Sequence, residues 1–182
     1  MAGGVNLLMG FIEITASFFS LSSSLFADSL DFFVDGVNYF SSLIILKKSD
    51  KIHRKVWLIK WHMMVIFGIG VLLWAIFKYI HGWIPRWEVM TTISILALWA
   101  NLFSAWILQA FQNDSLDLRA VWLCTRNDAL WNILIMIAGY LTLHFSSPLP
   151  DIIVSIFMGI LVLKSGIEII ISPEKRESHS HH

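Results

Sequence analysis

The sequence contains a single cysteine, four prolines and few charged residues in a chain of 182 residues. One cysteine excludes an internal disulfide and leaves no CxxC or cysteine–histidine pattern for a structural zinc site. Charged residues make up only 14% of the chain, against roughly 25% in globular proteins, which argues against an ordinary soluble domain. The 13 basic and 13 acidic residues balance, so there is no positive surplus to bind nucleic acid. GxSxG, HExxH and a glycine-rich phosphate loop are also missing, so the protein is not expected to be an enzyme.

Hydrophobic residues instead make up 57% of the chain and fall into long apolar runs. A bilayer core about 30 Å thick needs roughly 20 mostly apolar residues for one spanning helix. Runs of this kind lie at about 5–22, 25–46, 56–80, 89–111, 120–145 and 152–171. They predict an all-α fold, a six-helix transmembrane bundle formed by one domain over residues 1–172, because lipid tolerates only backbone whose polar groups are satisfied internally. Residues 173–182 are then a short histidine-containing tail.

Basic residues indicate the orientation of the predicted bundle. The second connection, residues 47–55, carries five lysines and arginines, whereas the opposite side of the bundle offers Arg86 alone. Excess lysine and arginine mark the cytoplasmic side of a membrane protein. Six spans then place both termini, and with them the tail, in the cytoplasm. The expected location is the inner (cell) membrane of a bacterium, as a multi-pass protein.

Ionisable residues inside the predicted spans mark candidate functional positions, because charge is costly within a bilayer. Lys60, His62 and Lys78 lie near span ends, where long side chains can snorkel to the interface, and a structural role is expected for them. Glu13 lies in the middle of the first span, and the sequence indicates no partner for it.

Two pairs of residues have a spacing that points to a shared site. Asp31 and Asp35 in span two are four residues apart, and so are Cys124 and Asp128 in span five. Residues at this spacing project from one face of a helix. With a rise of about 1.5 Å per residue, Asp35 lies roughly 15 Å from the outer boundary and Asp128 roughly 12 Å from the inner one. In a core about 30 Å thick these depths nearly coincide, so two antiparallel helices can bring the four side chains together near the midplane.

Three carboxylates and one thiol supply four ligands, the number that a tetrahedral Zn²⁺ site takes. A thiol favours Zn²⁺ or Cd²⁺ over Mg²⁺ or Ca²⁺, which prefer six or more oxygen ligands. Considered alone, Cys124 is more readily interpreted as a small buried hydrophobe, which is the usual role of a free cysteine. Its spacing from Asp128 favours the ligand role. No resident cofactor is expected.

Two segments resemble the cation diffusion facilitator family of divalent-metal transporters. Ser24–Asp35 is similar to the family's span-two signature, and Leu118–Ala129 is similar to its span-five signature. Asp151 and Asn101 also fall where the family tends to have these residues. The resemblance covers the six predicted spans, residues 5–171.

This resemblance implies six helices with cytoplasmic termini, a homodimer, and exchange of a divalent metal for protons. By position, it implies that Asp31, Asp35, Cys124 and Asp128 are the ligands of the transported metal. Cys124 departs from the family's usual histidine at that position. A short member is expected, without the cytoplasmic C-terminal domain into which many relatives continue.

The sequence therefore predicts a transporter in the lipid bilayer that exports Zn²⁺, with Cd²⁺ as a second candidate, between spans two and five in exchange for protons. Two alternatives stay open: a non-transporting membrane metal sensor or partner subunit with the same fold, and an exporter of Mn²⁺, Fe²⁺ or Co²⁺. In the second alternative Asp28 joins an oxygen-rich site; otherwise it caps span two or lines the outer exit. Asn127 and Asn132 are accessory candidates for hydrogen bonds that orient the ligands.

Overall fold

The computed structural model describes residues 2–45, 50–109 and 116–171, although the side chains of some of these residues, Cys124 and Arg126 among them, lie outside the description. The described chain forms six helices, which confirms the predicted all-α fold. They are α1 (Ala2–Ser20), α2 (Ser23–Ile45), α3 (Asp50–His81), α4 (Trp87–Gln109), α5 (Leu116–Phe145) and α6 (Leu149–Ile171). Residues 173–182, the predicted tail, lie outside the described part of the chain.

Three tight connections join the helices at one end of the bundle. Each contains a residue with positive φ: Leu21 at 57° after α1, Gly82 at 63° after α3, and Ser146 at 48° after α5. A residue in this left-handed region commonly ends a helix by turning the chain away from the axis. The Gly82 N–H completes the last turn of α3 by donating to the Lys78 carbonyl at 2.9 Å. These connections reverse the direction of the chain between consecutive helices.

The surface of the bundle is apolar, whereas many interior side chains are polar. Phe19, Ile80 and Trp106 are 73%, 72% and 69% exposed, while Ser94 and Asn101 are fully buried. This distribution is the reverse of a soluble domain and suits a chain surrounded by lipid. The protein is therefore an integral, multi-pass membrane protein.

Five of the six described helices contain a stretch long and apolar enough to cross a membrane. These stretches are Gly3–Ser20, Leu58–His81, Trp87–Gln109, Asn127–Phe145 and Leu149–Ile167. The remaining helix, α2, carries Asp28, Asp31 and Asp35 and yet runs unbroken for 23 residues inside the same bundle. Its acidic residues are thus held among the spans rather than in a connection.

The helices pack mainly as three pairs, α1 with α2, α3 with α6 and α4 with α5. Glycine allows the last two pairs to approach closely. A Cβ added to Gly139 of α5 would lie 3.0 Å from the Thr91 Oγ1 of α4, and one added to Gly68 of α3 would lie 2.6 Å from the Leu163 Cγ of α6. Small residues at helix crossings are typical of membrane bundles.

A buried ion pair joins α3 to α6 at the end of the bundle that carries Ser22–Ser24, which we call the serine end. Lys78 Nζ donates to Asp151 Oδ2 at 2.8 Å, and both side chains are fully buried. The expectation that Lys78 snorkels to the interface is therefore wrong. The Asp151 carboxylate of α6 compensates the charge of the Lys78 ammonium group inside the protein. The lysine side chain therefore does not need to extend to water.

Gly68 provides a test of the α3–α6 contact. We expect Gly68→Ala to lower the free energy of unfolding by about 1–3 kcal/mol, because the new methyl group must displace the Leu163 side chain. Gly70→Ala is the matched control on the same helix, since a Cβ there meets nothing within 4 Å. Unfolding in mixed micelles measures both variants, and equal stabilities for the two would contradict the described packing.

Candidate functional site

The carboxyl groups of α2 and α5 meet inside the bundle. The Asp128 carboxyl group lies close to those of both Asp31 and Asp35. All three side chains are partly buried. The i, i+4 spacing on α2 places its two carboxylates on one face, and α5 supplies the third from the opposite direction. The structure thus brings together the three predicted acidic residues.

Cys124 is the fourth predicted ligand, and its side chain lies outside the described residues; its backbone belongs to α5, one turn from Asp128. Among the side chains that are described, no group of three or more histidine, cysteine, aspartate or glutamate residues is arranged to hold a metal ion. The described carboxylates converge without forming a closed coordination shell. The complete ligand set therefore stays a prediction.

A small apolar cluster gives the register between the helices that surround this convergence. Met9 of α1, Phe32 of α2 and Ala97 of α4 are buried against one another and form what we call the Met9 cluster. Residues three or four positions away on each helix lie one turn above or below the cluster on the same face. The polar interior can therefore be described as two layers, one on each side of it.

The layer toward the serine end contains a pair of carboxyl groups. Glu13 lies four residues beyond Met9, and Asp28 lies four residues before Phe32, so both occupy the turn next to the Met9 cluster. The two carboxyl groups adjoin, and they are 0% and 1% exposed. None of their four carboxyl oxygens has a hydrogen-bonding partner among the described residues. Glu13, for which the sequence indicated no partner, thus faces a second acid.

The position of Asp28 in α2 excludes one of the two structural roles expected for it, that of the helix cap. Helix α2 begins at Ser23, and the Ser22 Oγ accepts a hydrogen bond from the Leu25 N–H at 3.1 Å, as an N-cap does. Asp28 lies beyond the first turn and therefore does not cap the helix. It remains a buried acid on the serine side of Asp31.

The layer on the other side of the Met9 cluster contains amides. Asn6 and Asn101 lie one turn from the cluster on α1 and α4, and spacing places Asp35 at the same level on α2. Both asparagines are 0% exposed, and their amide nitrogen and oxygen atoms have no partner within the described structure. Buried amides without partners are rare and costly. Their position beside the carboxylates gives the site additional donors and acceptors.

The two accessory asparagines of α5 differ in position. Asn132 is fully buried, and its Nδ2 donates to the Asp128 backbone carbonyl at 2.9 Å. Asn132 therefore donates to the backbone of Asp128, a predicted ligand, rather than to its carboxylate, and its own Oδ1 has no described partner. Asn127 has an exposed side chain and faces away from the interior.

Sequence reasoning missed Asn6 and Ser94 as members of this interior, although a periodic signal marks them. Polar residues recur seven positions apart, and therefore two turns apart on one face, on all four helices around the site. The pairs are Asn6 and Glu13, Asp28 and Asp35, Ser94 and Asn101, and Thr125 and Asn132. Seven of these eight side chains are buried, and the eighth is partly buried. A search for polar i, i+7 pairs within apolar runs would have identified the lining.

Comparisons with known proteins show what the chain is similar to. A family model described as the cation efflux transmembrane domain matches residues 1–173. A cadmium, cobalt and zinc/H(+)-K(+) antiporter of Bacillus subtilis (strain 168) is 34% identical over 82 residues, which are 44% of this chain and 26% of that protein. An antiporter of the same name from Bacillus velezensis is 28% identical over 108 residues, 58% of this chain and 34% of that protein. The matched regions thus span about a quarter to a third of those relatives.

The Glu13–Asp28 pair yields a stability prediction. We expect Glu13→Gln to raise the free energy of unfolding by about 1 kcal/mol, because an amide can donate to the buried Asp28 carboxylate and removes a like charge. Thermal unfolding at neutral pH measures the change, with the exposed Glu88→Gln as the control. A clear loss of stability in Glu13→Gln would contradict repulsion between the two acids and indicate a cation bound between them.

Proposed function

The chain belongs to the cation efflux transmembrane-domain family, and from this premise we propose that it exports a divalent metal ion through the bundle in exchange for protons. A transport role rather than enzyme catalysis suits both the family and an interior that is lined by polar groups. Asp31, Asp35 and Asp128 carry the proposal, because they converge from two antiparallel helices inside a membrane protein.

The convergence of these carboxylates is physically unfavourable without a cation. Charged groups within the bilayer are costly, and like charges in contact raise the cost further. A divalent cation between α2 and α5 removes the repulsion and contributes the attraction of two charges to each carboxylate. A site that gains so much from occupation supports a role in binding metal.

The proposed ligands are the three carboxylates of Asp31, Asp35 and Asp128 together with the thiolate of Cys124. A tetrahedral set with one sulfur suits Zn²⁺ and Cd²⁺. The Bacillus relatives are named for cadmium, cobalt and zinc, which supports this group of metals. Asn101, level with Asp35 and without a partner among the described residues, is positioned to orient a ligand or a coordinated water molecule.

Exchange for protons follows from the chemistry of the ligands. Metal binds deprotonated carboxylate and thiolate, so metal entry releases protons and protonation releases metal. The carboxyl groups of Glu13 and Asp28, one to two turns from the site toward the serine end, provide further groups that can carry protons. The names of the Bacillus relatives describe them as H(+)-K(+) antiporters, which supports coupling of metal export to proton movement.

The orientation and assembly are also proposals. The basic connection over residues 47–55 supports a cytoplasmic location for both termini. The serine end then faces outward, and metal moves from the cytoplasm past α2 and α5 toward it. We propose a homodimer in a bacterial cell membrane, in agreement with the Bacillus relatives.

Metal uptake into inside-out proteoliposomes under an imposed pH gradient tests the function. We expect uptake of Zn²⁺ and Cd²⁺ by the full chain, and a loss of at least about 100-fold in Asp35→Asn or Asp128→Asn, because each removes a ligand. The exposed Glu88→Gln is the control and should transport at the normal rate.

The outcomes separate the alternatives that the sequence left open. Metal binding without pH-driven movement would contradict transport and favour a sensor. Transport of Mn²⁺ that survives Cys124→Ala would contradict the sulfur-containing site and favour an oxygen-rich one. Unchanged Zn²⁺ uptake in Asp35→Asn would contradict the site itself.

A further inference from the structure

We propose that Asp151 is a positioning residue for metal binding: it fixes the axial position of α2 from a different helix and thereby the depth of the α2 carboxylates. This inference rests on the proposed function, because it concerns the same metal site. It adds a residue that lies far from the ligands in sequence and in space. The hydrogen bonds at the serine end carry the argument.

Both oxygens of the Asp151 carboxylate are occupied by donors from the start of α2. Oδ1 accepts from Ser22 Oγ at 2.7 Å, from Ser24 N at 3.0 Å and from Ser24 Oγ at 2.6 Å. Oδ2 accepts from Ser23 N at 2.8 Å and from Ser23 Oγ at 2.7 Å, and it also pairs with Lys78 Nζ. All these side chains are 0% exposed.

This arrangement differs from ordinary helix capping. A cap usually comes from the residue that begins the helix, and it moves with the helix. Here the first free N–H groups of α2 donate to a carboxylate on α6, more than 120 residues away in the sequence. Sliding or rotating α2 against α6 would break several charge-assisted hydrogen bonds at once among fully buried side chains. The start of α2 is therefore fixed relative to α6.

The unbroken helix α2 connects its fixed start to the proposed metal ligands. Asp31 and Asp35 lie eight and twelve residues after Ser23 in α2, which corresponds to about 12 and 18 Å along the axis. Because α2 runs unbroken, a shift at Ser23 moves both carboxylates relative to Asp128 on α5. Binding geometry tolerates only about 0.5 Å of such displacement. Asp151 therefore affects affinity without contacting the metal.

Lys78 and the serine donors make different contributions to the contacts of Asp151. Effects on folding can therefore be tested separately from effects on the position of α2. The Lys78 ammonium group compensates the buried charge of Asp151, whereas the serine donors connect that charge to α2. Replacing Lys78 alone leaves a buried carboxylate without a cation and is expected to impair folding. Replacing both partners, as in Lys78→Met with Asp151→Asn, removes both charges and leaves one acceptor oxygen where there were two.

The test measures Cd²⁺ and Zn²⁺ binding by isothermal titration calorimetry on the purified full-length protein. For the double variant we expect a dissociation constant raised roughly 10-fold with unchanged stoichiometry, the size of effect seen when groups behind a ligand are lost. Ser23→Ala with Ser24→Ala keeps the ion pair and removes two donors, so we expect a smaller rise in the dissociation constant. Ser147→Ala is the control, because it removes a cap from α6 at the same end without touching Asp151.

The thermal midpoint of each variant is measured beside its affinity. A raised dissociation constant in variants whose midpoint matches that of Ser147→Ala supports positioning. A normal dissociation constant in either folded variant, even with a lowered midpoint, overturns it and leaves Asp151 a purely structural residue. Asp35→Asn is included to test the site independently: if it binds metal normally, the proposed function fails, whereas failure of the Asp151 variants alone refutes only this inference.

Discussion

A charged group inside a bilayer must find its compensation within the protein, and this constraint organises the whole bundle. At the serine end the protein supplies that compensation itself, since Lys78 and six hydrogen bonds to Asp151, its own included, satisfy the buried carboxylate. Between α2 and α5, Asp31, Asp35 and Asp128 face one another instead. One buried acid is thus paired within the protein, while three others form the proposed metal site. The contrast separates a structural ion pair at the serine end from the proposed transport site.

The same contrast suggests how the bundle divides mechanically. The α1–α2 turn, α3 and α6 are joined at the serine end, and the Arg86 N–H, next to the start of α4, donates to the Ser20 carbonyl at 2.8 Å in the same region. On either side of the Met9 cluster, the carboxyl groups of Glu13 and Asp28 and the amides of Asn6 and Asn101 have no described hydrogen-bonding partner, so fewer hydrogen bonds would break there when helices shift. Alternating access in secondary transporters depends on rigid parts moving about a central binding site. The hydrogen-bonded serine end corresponds to such a rigid part, and the polar layers around the Met9 cluster correspond to the central region.

Sequence reasoning recovered what depends on spacing within one helix and missed what depends on tertiary pairing. The i, i+4 relation of Asp31 and Asp35, together with matched depth, predicted that α2 and α5 bring their carboxylates together, and the structure agrees for Asp128. The position of Lys78 was predicted wrongly because its partner is 73 positions away in the sequence. A lysine near a span end can also extend its ammonium group to the membrane interface, and the sequence does not distinguish the two arrangements. The proximity of Glu13 to Asp28 could not be predicted either, because it depends on which face of α1 is turned toward α2. Cys124 stays a predicted ligand, because its side chain lies outside the described residues.

X-ray absorption spectroscopy at the zinc edge of the metal-loaded, full-length protein tests the central claim most directly. The account predicts about three oxygen donors near 2.0 Å and one sulfur near 2.3 Å. It also predicts loss of the sulfur shell in Cys124→Ser and loss of tight binding in Asp128→Asn. A shell made up of histidine nitrogens, or a spectrum that neither substitution alters, would contradict a metal held jointly by α2 and α5.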